Sequence, residues 1–207
     1  MAIDKWANPK AMWDERYSHP DAVYGEAPNE YLQSQIFRLK PGMNVLVPAD
    51  GYGRNGIWLA KQGFRVHTVD LSPVGVERAR KSAAAAGVTM KMEVADLATW
   101  NWPRDEFDAV VAIFFHMPSA VRGKVHASML RALKPDGIVI LEAFTPSQLQ
   151  FTSGGPKQVD LLYTTESLRS DFAGAKIVLL EEQVTQLHEG HMHSGLGAVV
   201  HAIFRRK

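Results

Sequence analysis

The residues whose spacing most clearly suggests chemistry lie at positions 45–55, which read V-L-V-P-A-D-G-Y-G-R-N. An apolar run enters this segment and a helical pattern leaves it. Gly51 and Gly53 have no Cβ, so the backbone there can approach a ligand closely. The helix that follows offers unpaired N–H groups and the positive end of its dipole. The segment therefore predicts a ligand-binding turn at the end of a strand.

Two acidic residues end the next two predicted strands. Asp70 follows residues 64–69, and an acid at this place can accept hydrogen bonds from both hydroxyls of a ribose. Asp96 follows residues 89–94 and can accept a hydrogen bond from an adenine amino group. Either acid alone is more often a turn or helix-cap residue. Together with the glycine turn, they favour a nucleoside ligand.

These residues need a scaffold of alternating strands and helices. Continuous apolar strands separated by helices suit an α/β fold with a parallel sheet that is buried on both faces. Strands are predicted at 43–47, 64–69, 89–94, 107–114 and 138–144, with helices at 54–62, 73–86 and 119–133. Two later strands, 176–186 and 196–204, are predicted to pair as an antiparallel hairpin around a His-rich loop, 187–195.

The remaining segments complete one predicted domain over residues 1–207. Helical patterns at 9–17 and 29–39 precede the sheet, so residues 1–40 are predicted to form a helical lid over a Rossmann-like core, 41–207. The polar stretch 148–165 contains Gly154-Gly155-Pro156 and predicts a mobile loop. A short helix is predicted at 165–172.

Composition narrows the class of protein. The 207 residues carry 23 Lys plus Arg against 22 Asp plus Glu, so a net charge of +1 gives no reason to expect nucleic acid or an anionic membrane as a partner. The absence of cysteine excludes disulfides, thiolate metal sites and cysteine nucleophiles. The first 14 residues lack the apolar core of a signal peptide, and no apolar run approaches a membrane span. We expect a cytoplasmic protein, a monomer or homodimer.

Across roughly residues 13–144 the chain resembles class I S-adenosylmethionine-dependent methyltransferases of the tellurite-resistance and thiopurine methyltransferase-like group. The resemblance is carried by the glycine turn, Asp70, Asp96 and the Gly-Arg-Asn at 53–55. It implies a Rossmann-like, doubly wound, seven-stranded sheet that is mostly parallel and has a reversed C-terminal hairpin. It also implies S-adenosylmethionine as cofactor and methyl transfer to a small-molecule nucleophile, such as a thiol or chalcogen compound, by in-line displacement.

The resemblance implies roles for individual residues. Asp70 would bind the ribose and Asp96 the adenine, while Trp13 and Tyr17 would enclose the methionine arm and Arg16 would pair with its carboxylate. An ordinary amphipathic helix, in which Trp13 and Tyr17 are core contacts, explains those two residues as well. The predicted cofactor-binding residues are Trp13, Arg16, Tyr17, Ala49, Asp50, Gly51, Gly53, Asn55, Asp70, Leu71, Asp96, Leu97 and Phe114.

The turn departs from the family pattern at two positions. Val47 stands where the family usually has an acid, and Ala49 stands where it usually has glycine. Asp50 is a candidate to replace the missing acid because it lies in the same turn. These departures motivate one alternative, a protein that binds the cofactor without catalysis.

A second alternative is an NAD(P)-dependent oxidoreductase. Gly51, Gly53 and Gly56 formally match G-x-G-x-x-G, which binds a dinucleotide pyrophosphate. The antiparallel C-terminal hairpin and the Asp96 loop favour the methyltransferase instead.

The substrate side is predicted at the end of the fourth strand. His116 is the best candidate for a general base or substrate contact, and a hydrogen bond that holds the neighbouring loop is an equal alternative. Tyr24, His191 and His193 complete the predicted substrate contacts. The stretch 114–118 lacks the Asn/Asp-Pro-Pro-aromatic motif of nucleic-acid amino-methylating enzymes, which argues against base N-methylation.

Histidines cluster near the C-terminus, at His188, His191 and His193, with Glu189 among them. Two-residue spacing on a strand makes a metal geometrically possible. A polar hairpin loop explains the cluster more simply, and we predict no metal.

Overall fold

The computed structural model describes residues 8–207 and shows one seven-stranded sheet. The strands are β1 (Asn44–Pro48), β2 (Arg65–Asp70), β3 (Lys91–Val94), β4 (Phe107–Ile113), β5 (Leu133–Phe144), β6 (Ala175–Glu189) and β7 (His193–Arg206). Their order is β3-β2-β1-β4-β5-β7-β6, and β7 runs antiparallel to both of its neighbours. The predicted α/β class, the mostly parallel sheet and the reversed C-terminal hairpin are confirmed.

Six α-helices surround the sheet in the described chain. They are α1 (Pro9–Ser18), α2 (Glu30–Gln35), α3 (Arg54–Lys61), α4 (Pro73–Ala85), α5 (Ser119–Ala132) and α6 (Thr165–Asp171). Local chemistry determines where several begin. At α4, for example, the Ser72 hydroxyl accepts a hydrogen bond from the Gly75 N–H, and Pro73 occupies the first turn.

The core has two layers because side chains alternate along each strand. On one face, Leu59 of α3 and Leu32 of α2 pack with Val45 and Val47 of β1. On the other face, residues of α5 and α6 pack with Leu46. The sheet is therefore buried on both sides.

The predicted loop over 148–165 is present, but it is packed against the rest of the domain. The segment contains two 3-10 turns, Pro146–Gln150 and Val159–Leu161, and Tyr163 is fully buried. The Gln148 side-chain amide donates hydrogen bonds to the Ser153 hydroxyl and the Gly154 carbonyl. These side chains satisfy the backbone in place of regular structure, and a polar, glycine-containing sequence does not reveal such partners.

The predicted His-rich loop over 187–195 is wrong. β6 continues to Glu189 and β7 begins at His193, so only residues 190–192 connect the two strands. Leu187, Glu189 and His193 are buried. Burial against other parts of the chain extends the hairpin beyond what its polar composition indicates. The predicted helix over 29–39 likewise ends at Gln35 and continues as a 3-10 turn, Ile36–Arg38.

The strand order places a site at one edge of the sheet. The chain proceeds outward from β1 to β2 and β3, then returns to β4 on the other side of β1. Ligands of open α/β sheets bind at the carboxyl ends of the strands where the order reverses. The glycine turn follows β1 at this edge. Of the predicted lid, residues 1–7 lie outside the described residues.

Candidate functional site

The glycine turn has left-handed backbone at Ala49, Gly51 and Gly53, with φ angles of 55°, 58° and 88°. A Cβ on Gly51 would lie 2.6 Å from the Tyr17 hydroxyl, and a Cβ on Gly53 would lie 2.9 Å from the Cβ of Ala79. Both glycines are therefore required by close contacts. The left-handed region costs a non-glycine residue about 1 kcal/mol or more, which explains why glycine is usual at the position of Ala49.

Asp70 lies at the end of β2, directly beside this turn. Its Oδ2 accepts a hydrogen bond from the Gly51 N–H at 2.8 Å, and its Oδ1 accepts one from the Ser72 N–H at 2.8 Å. The residue is 4% exposed, and this burial raises the pKa of Asp70 to about 6. Each carboxylate oxygen keeps a second lone pair, so the group can still accept two hydroxyl donors.

Asp96 lies at the same edge but in a different environment. It is exposed, and its Oδ1 accepts a hydrogen bond from the Ala98 N–H at 2.9 Å, which closes a turn within its own loop. The edge is continuous, because the Ala95 N–H donates to the Asp70 carbonyl at 2.9 Å. Of the flanking predicted residues, Leu97 is buried and Leu71 is partly buried.

Asp50 is buried, and its carboxyl group contacts the first turn of α3. Its Oδ2 accepts a hydrogen bond from the Gly56 N–H at 3.0 Å, and a Cβ on Gly56 would collide with this carboxyl group and with Thr68. Burial raises the pKa of Asp50 to about 8, and its Oδ1 has no hydrogen-bond partner among residues 8–207. Asp50 caps the first turn of α3, whose N-cap residue, Gly53, has no side chain. The third glycine of the formal dinucleotide pattern serves this packing.

Aromatic side chains cover the turn. Trp13 stacks on Tyr17 with ring centroids 5.4 Å apart, and Tyr17 meets the ring of Tyr52 edge-on at 5.6 Å. Tyr17 is buried between Gly51 and Gly75, where any Cβ would strike its ring. The N-terminal helix therefore packs against the core directly over the turn, as the amphipathic-helix interpretation expects.

Polar contacts hold α1 in this position. The Ser72 hydroxyl, at the cap of α4, donates a hydrogen bond to Asp14. Arg16 donates to the Tyr24 hydroxyl at 2.9 Å and lies over the Trp13 ring at 5.0 Å. Asp14 was not among the predicted site residues, and its only sequence signal is its spacing of four from Lys10, with which it forms an ion pair.

The end of β4 is lined by rings. Phe114 has a left-handed φ of 49°, which is strained for a non-glycine residue. Its ring lies 4.6 Å from those of Phe144 and His193, and Tyr24 lies 4.7 Å from His193. The structure thus brings together the predicted residues Tyr24, Phe114 and His193. His191 is exposed in the hairpin turn and contacts the His19 ring at 6.4 Å instead.

His116 is engaged at both ring nitrogens. Its Nδ1 lies 2.6 Å from the Leu161 carbonyl oxygen, and the Phe144 N–H donates to its Nε2 at 3.4 Å. Burial lowers the pKa of His116 to about 4, so the ring is neutral near pH 7. This geometry favours the second sequence interpretation, in which His116 holds the neighbouring 3-10 turn.

A buried polar network joins the cofactor turn to the hairpin and was missed by the sequence analysis. Asn55 accepts a hydrogen bond from the Asn29 N–H at 2.9 Å, and the Asn29 side chain donates to Glu189 at 2.6 Å. Arg54 forms an ion pair with Glu189 in which both side chains are under 10% exposed. Burial opposes ionisation of Glu189, but His193 and Arg54 outweigh it and lower its pKa to about 2. No sequence signal links Arg54 to a residue so distant in the chain.

The C-terminal histidines do not converge. His188 is exposed and pairs with Glu30, whereas His193 is buried among rings. Within residues 8–207, no group of three or more His, Asp or Glu side chains has an arrangement that could hold a metal ion. Across the same residues, no helix is both long enough and apolar enough to span a bilayer.

The strand order, the glycine turn and the acid at the end of β2 are those of the class I methyltransferase fold. Residues 45–137 of this chain match the methyltransferase domain family. The inserted antiparallel strand β7 distinguishes this sheet from the six-stranded order of dinucleotide-binding domains.

Two relatives are similar to this chain in sequence. A thiopurine S-methyltransferase from Pseudomonas putida is 28% identical over 218 residues, which cover 94% of this chain and 97% of the relative. An uncharacterized protein from Mycobacterium tuberculosis is 29% identical over 105 residues, or 51% of this chain and 38% of that protein. The chain therefore spans well under half the length of this mycobacterial relative.

Two solved structures share the fold over nearly the whole chain. One is a structure described under the conversion of a disulfide bond into a thioacetal group during echinomycin biosynthesis. It has a TM-score of 0.77 and 22% identity, and the match covers 96% of this chain and 92% of that chain. The other is magnesium protoporphyrin IX methyltransferase from Synechocystis with bound SAH, with a TM-score of 0.71 and 17% identity over 99% of this chain and 100% of its own.

Proposed function

We propose that this protein transfers a methyl group from S-adenosylmethionine to a small-molecule nucleophile by in-line displacement. The observation that carries the proposal is the placement of Asp70. A buried carboxylate is held by the Gly51 and Ser72 N–H groups at the switch point of the sheet, and it keeps two lone pairs for ribose hydroxyls.

The residues at this edge fit the cofactor. When bound, S-adenosylmethionine supplies a methyl group on a sulfonium centre. Asp70 would hold the ribose and Asp96 the adenine amino group, while Trp13 and Tyr17 would place electron-rich ring faces near the cation. Arg16 would pair with the methionine carboxylate through guanidinium N–H groups that its bond to Tyr24 does not use. Because the Tyr17 ring lies directly on Gly51, this side chain would have to move to admit the ligand, while Asp14 keeps α1 tied to Ser72.

The acceptor that fits best is a sulfur or chalcogen nucleophile. The end of β4 is lined by Tyr24, Phe114 and His193, which suit a soft, weakly hydrated atom. Both nitrogens of His116 are engaged, so we favour an acceptor that reacts as a thiolate or through an unprotonated lone pair and needs no base. The Pseudomonas putida relative, named a thiopurine S-methyltransferase, and the structural neighbour described by thioacetal formation support this choice.

Two measurements test the proposal. Calorimetry should detect S-adenosylhomocysteine binding to the folded chain, and its absence at millimolar ligand would remove the cofactor assignment. A methyl-transfer screen over thiols, chalcogen oxyanions, halides and small phenols, followed by S-adenosylhomocysteine release, should show turnover with sulfur or chalcogen acceptors. Turnover with phenols alone would contradict the proposed acceptor class.

One alternative has a specific observation behind it. Ala49 is strained in a position that glycine usually occupies, and Val47 replaces the usual acid, so the turn departs from the pattern of catalytic relatives. A protein that binds the cofactor without catalysis would show S-adenosylhomocysteine binding but no turnover with any acceptor in the screen.

We also propose a cytoplasmic location, with no nucleic-acid or membrane partner, and a monomer or homodimer. The near-neutral charge supports this proposal. Size-exclusion chromatography with light scattering would distinguish the two oligomeric states and would contradict both if it found a larger assembly.

A further inference from the structure

The connection from β3 to β4 differs from the other parallel crossovers of this sheet. α3 joins β1 to β2, α4 joins β2 to β3, and α5 joins β4 to β5, but residues 95–106 contain no helix. Right-handed crossover places this connection on the sheet face that carries α5. The space beside α5 that a crossover helix would cover is lined by loop residues instead.

A cavity of about 190 Å³ lies between this loop and α5. Two indole rings form its corner: the centroids of Trp100 and Trp102 are 5.0 Å apart, and the ring planes are inclined at 67°. The Trp102 Nε1–H donates a hydrogen bond to the Leu97 carbonyl at 2.9 Å, which fixes the ring. A hydrogen bond within the loop therefore holds the Trp102 ring in place as one wall of the cavity.

The opposite wall is positive. Lys124 and Arg131 line the cavity from α5, and no lining residue is acidic. Arg131 donates to the Ser128 hydroxyl at 2.6 Å, and Ser128 is 4% exposed, so a buried group anchors the guanidinium at the cavity. Of the acids in the loop, Asp96 accepts a hydrogen bond from the Ala98 N–H. Asp105, whose N–H donates to the Arg131 carbonyl, pairs its carboxylate with Arg206.

We propose that this cavity binds a planar aromatic carboxylate, a ligand separate from the cofactor and the methyl acceptor. An aromatic ring would pack against Trp100 and Trp102 in the offset or edge-to-face arrangements that rings prefer. The carboxylate would accept hydrogen bonds from Lys124 and Arg131. A neutral polyol would leave the two cations without an acidic partner, and a cationic ligand would be repelled by Lys124 and Arg131.

Calorimetry with 2-naphthoate tests the site, with 2-naphthalenemethanol and hexanoate as matched probes that lack the charge or the ring. Saturable binding of 2-naphthoate, at least fivefold tighter than either matched probe, is the expected result. Equal affinity for all three probes, or no binding of 2-naphthoate at millimolar concentration, would overturn the proposal.

Variants locate the binding. The pair Lys124→Ala and Arg131→Ala should weaken 2-naphthoate binding by about fivefold or more, since both cations are exposed and their loss should leave the fold intact. Trp102→Leu should weaken 2-naphthoate binding more than the double variant does, because it removes part of the aromatic wall. Lys61→Ala, at the end of α3 on the opposite face, is the matched control and should bind 2-naphthoate as the parent does. Equal affinity in the parent and the double variant would show binding elsewhere.

A competition experiment separates the cavity from the cofactor edge, because Leu97 lines the cavity and directly follows Asp96, the proposed adenine contact. The affinity for 2-naphthoate should be unchanged in saturating S-adenosylhomocysteine. Full displacement would show that the probe occupies the adenine end of the cofactor site, and would overturn a separate site. The 2-naphthoate affinity is measured without cofactor, so its failure is distinguishable from failure of the methyltransferase proposal.

Discussion

Asp70 and Asp96 end neighbouring strands and are the same residue type, yet they lie in opposite environments. Asp70 is 4% exposed and accepts hydrogen bonds from the glycine turn and from the start of α4. Asp96 is exposed and accepts a hydrogen bond only two residues away in its own loop. β2 lies inside the sheet, whereas β3 forms its edge.

The comparison shows that position in the sheet determines how strongly a strand-end acid interacts. The end of an inner strand is flanked by the turns of its neighbours and is covered here by α1, so water is excluded. The end of an edge strand stays hydrated. A hydrogen bond to a buried, charged acceptor contributes more than one to a hydrated acceptor, because little water competes for it.

Asp70→Ala should have the largest effect on cofactor affinity. Loss of two ribose hydrogen bonds to a charged acceptor should weaken S-adenosylhomocysteine binding by about 2 kcal/mol or more, roughly 30-fold, measured by calorimetry. Asp70→Asn, which keeps one acceptor oxygen, serves as the control for loss of structure. An Asp70→Ala protein that is folded and binds with the parent's affinity would contradict the ribose assignment.

Asp50 is a third acid near the same turn, and it is buried like Asp70. Burial raises the pKa of Asp50 to about 8, against an ordinary value of 3.8. The folded state then binds this proton more tightly than the unfolded chain. Between roughly pH 4 and 8 the unfolded carboxyl is ionised while the folded one is protonated, so the group's contribution to stability falls as pH rises, by at most about 1.4 kcal/mol per pH unit. Asp50→Asn removes this titration.

Urea unfolding at pH 5, 6.5 and 8 checks this prediction. Relative to the parent, the free energy of unfolding of Asp50→Asn should rise from pH 5 to pH 8, by at most about 4 kcal/mol over the three pH units. Asp136→Asn, an exposed acid with a left-handed φ that asparagine tolerates, should run parallel to the parent. Parallel behaviour of Asp50→Asn would show that Asp50 is ionised in the folded protein.

Asp14→Ala tests whether α1 makes the environment of Asp70 different. The change removes the contact with Ser72 that ties α1 to α4 and should weaken S-adenosylhomocysteine binding by about 1 kcal/mol, mainly through faster release. Stopped-flow displacement measures the release rate. Lys10→Ala, which removes only the exposed partner of Asp14, should change the rate little. An unchanged release rate in Asp14→Ala would show that the contact between Asp14 and Ser72 does not affect cofactor binding.

Asp96→Ala should have the smallest effect. Its exposed carboxylate would contribute one hydrated hydrogen bond to the adenine, so S-adenosylhomocysteine affinity should fall by no more than about 1 kcal/mol. Calorimetry of S-adenosylhomocysteine binding to Asp96→Ala and to Asp70→Ala compares the contributions of the two acids directly. A loss as large as that of Asp70→Ala would show that ligand binding buries Asp96 as deeply as Asp70, and the comparison between inner and edge strands would fail.

Sequence reasoning succeeded where the signal was local. Ser72 and Pro73 marked the start of α4, and the glycines marked the turn after β1, since caps and turns depend on a few adjacent residues. It failed over the hairpin at 187–195 and did not show how 148–165 packs, because burial and side-chain partners there come from distant segments. The role of Asp50 was missed for the same reason, because its partner is the first turn of α3.

By itself, the sequence determined the alternation of strands and helices, the reversed C-terminal hairpin and the placement of a glycine turn and two acids at successive strand ends. These follow from periodicity and from turn chemistry within short windows. Only the tertiary structure decided which acid is buried, that both nitrogens of His116 are engaged, and that Glu189 reaches Arg54. Solvent exclusion and hydrogen-bond partners depend on which elements pack together, and strand order sets that packing.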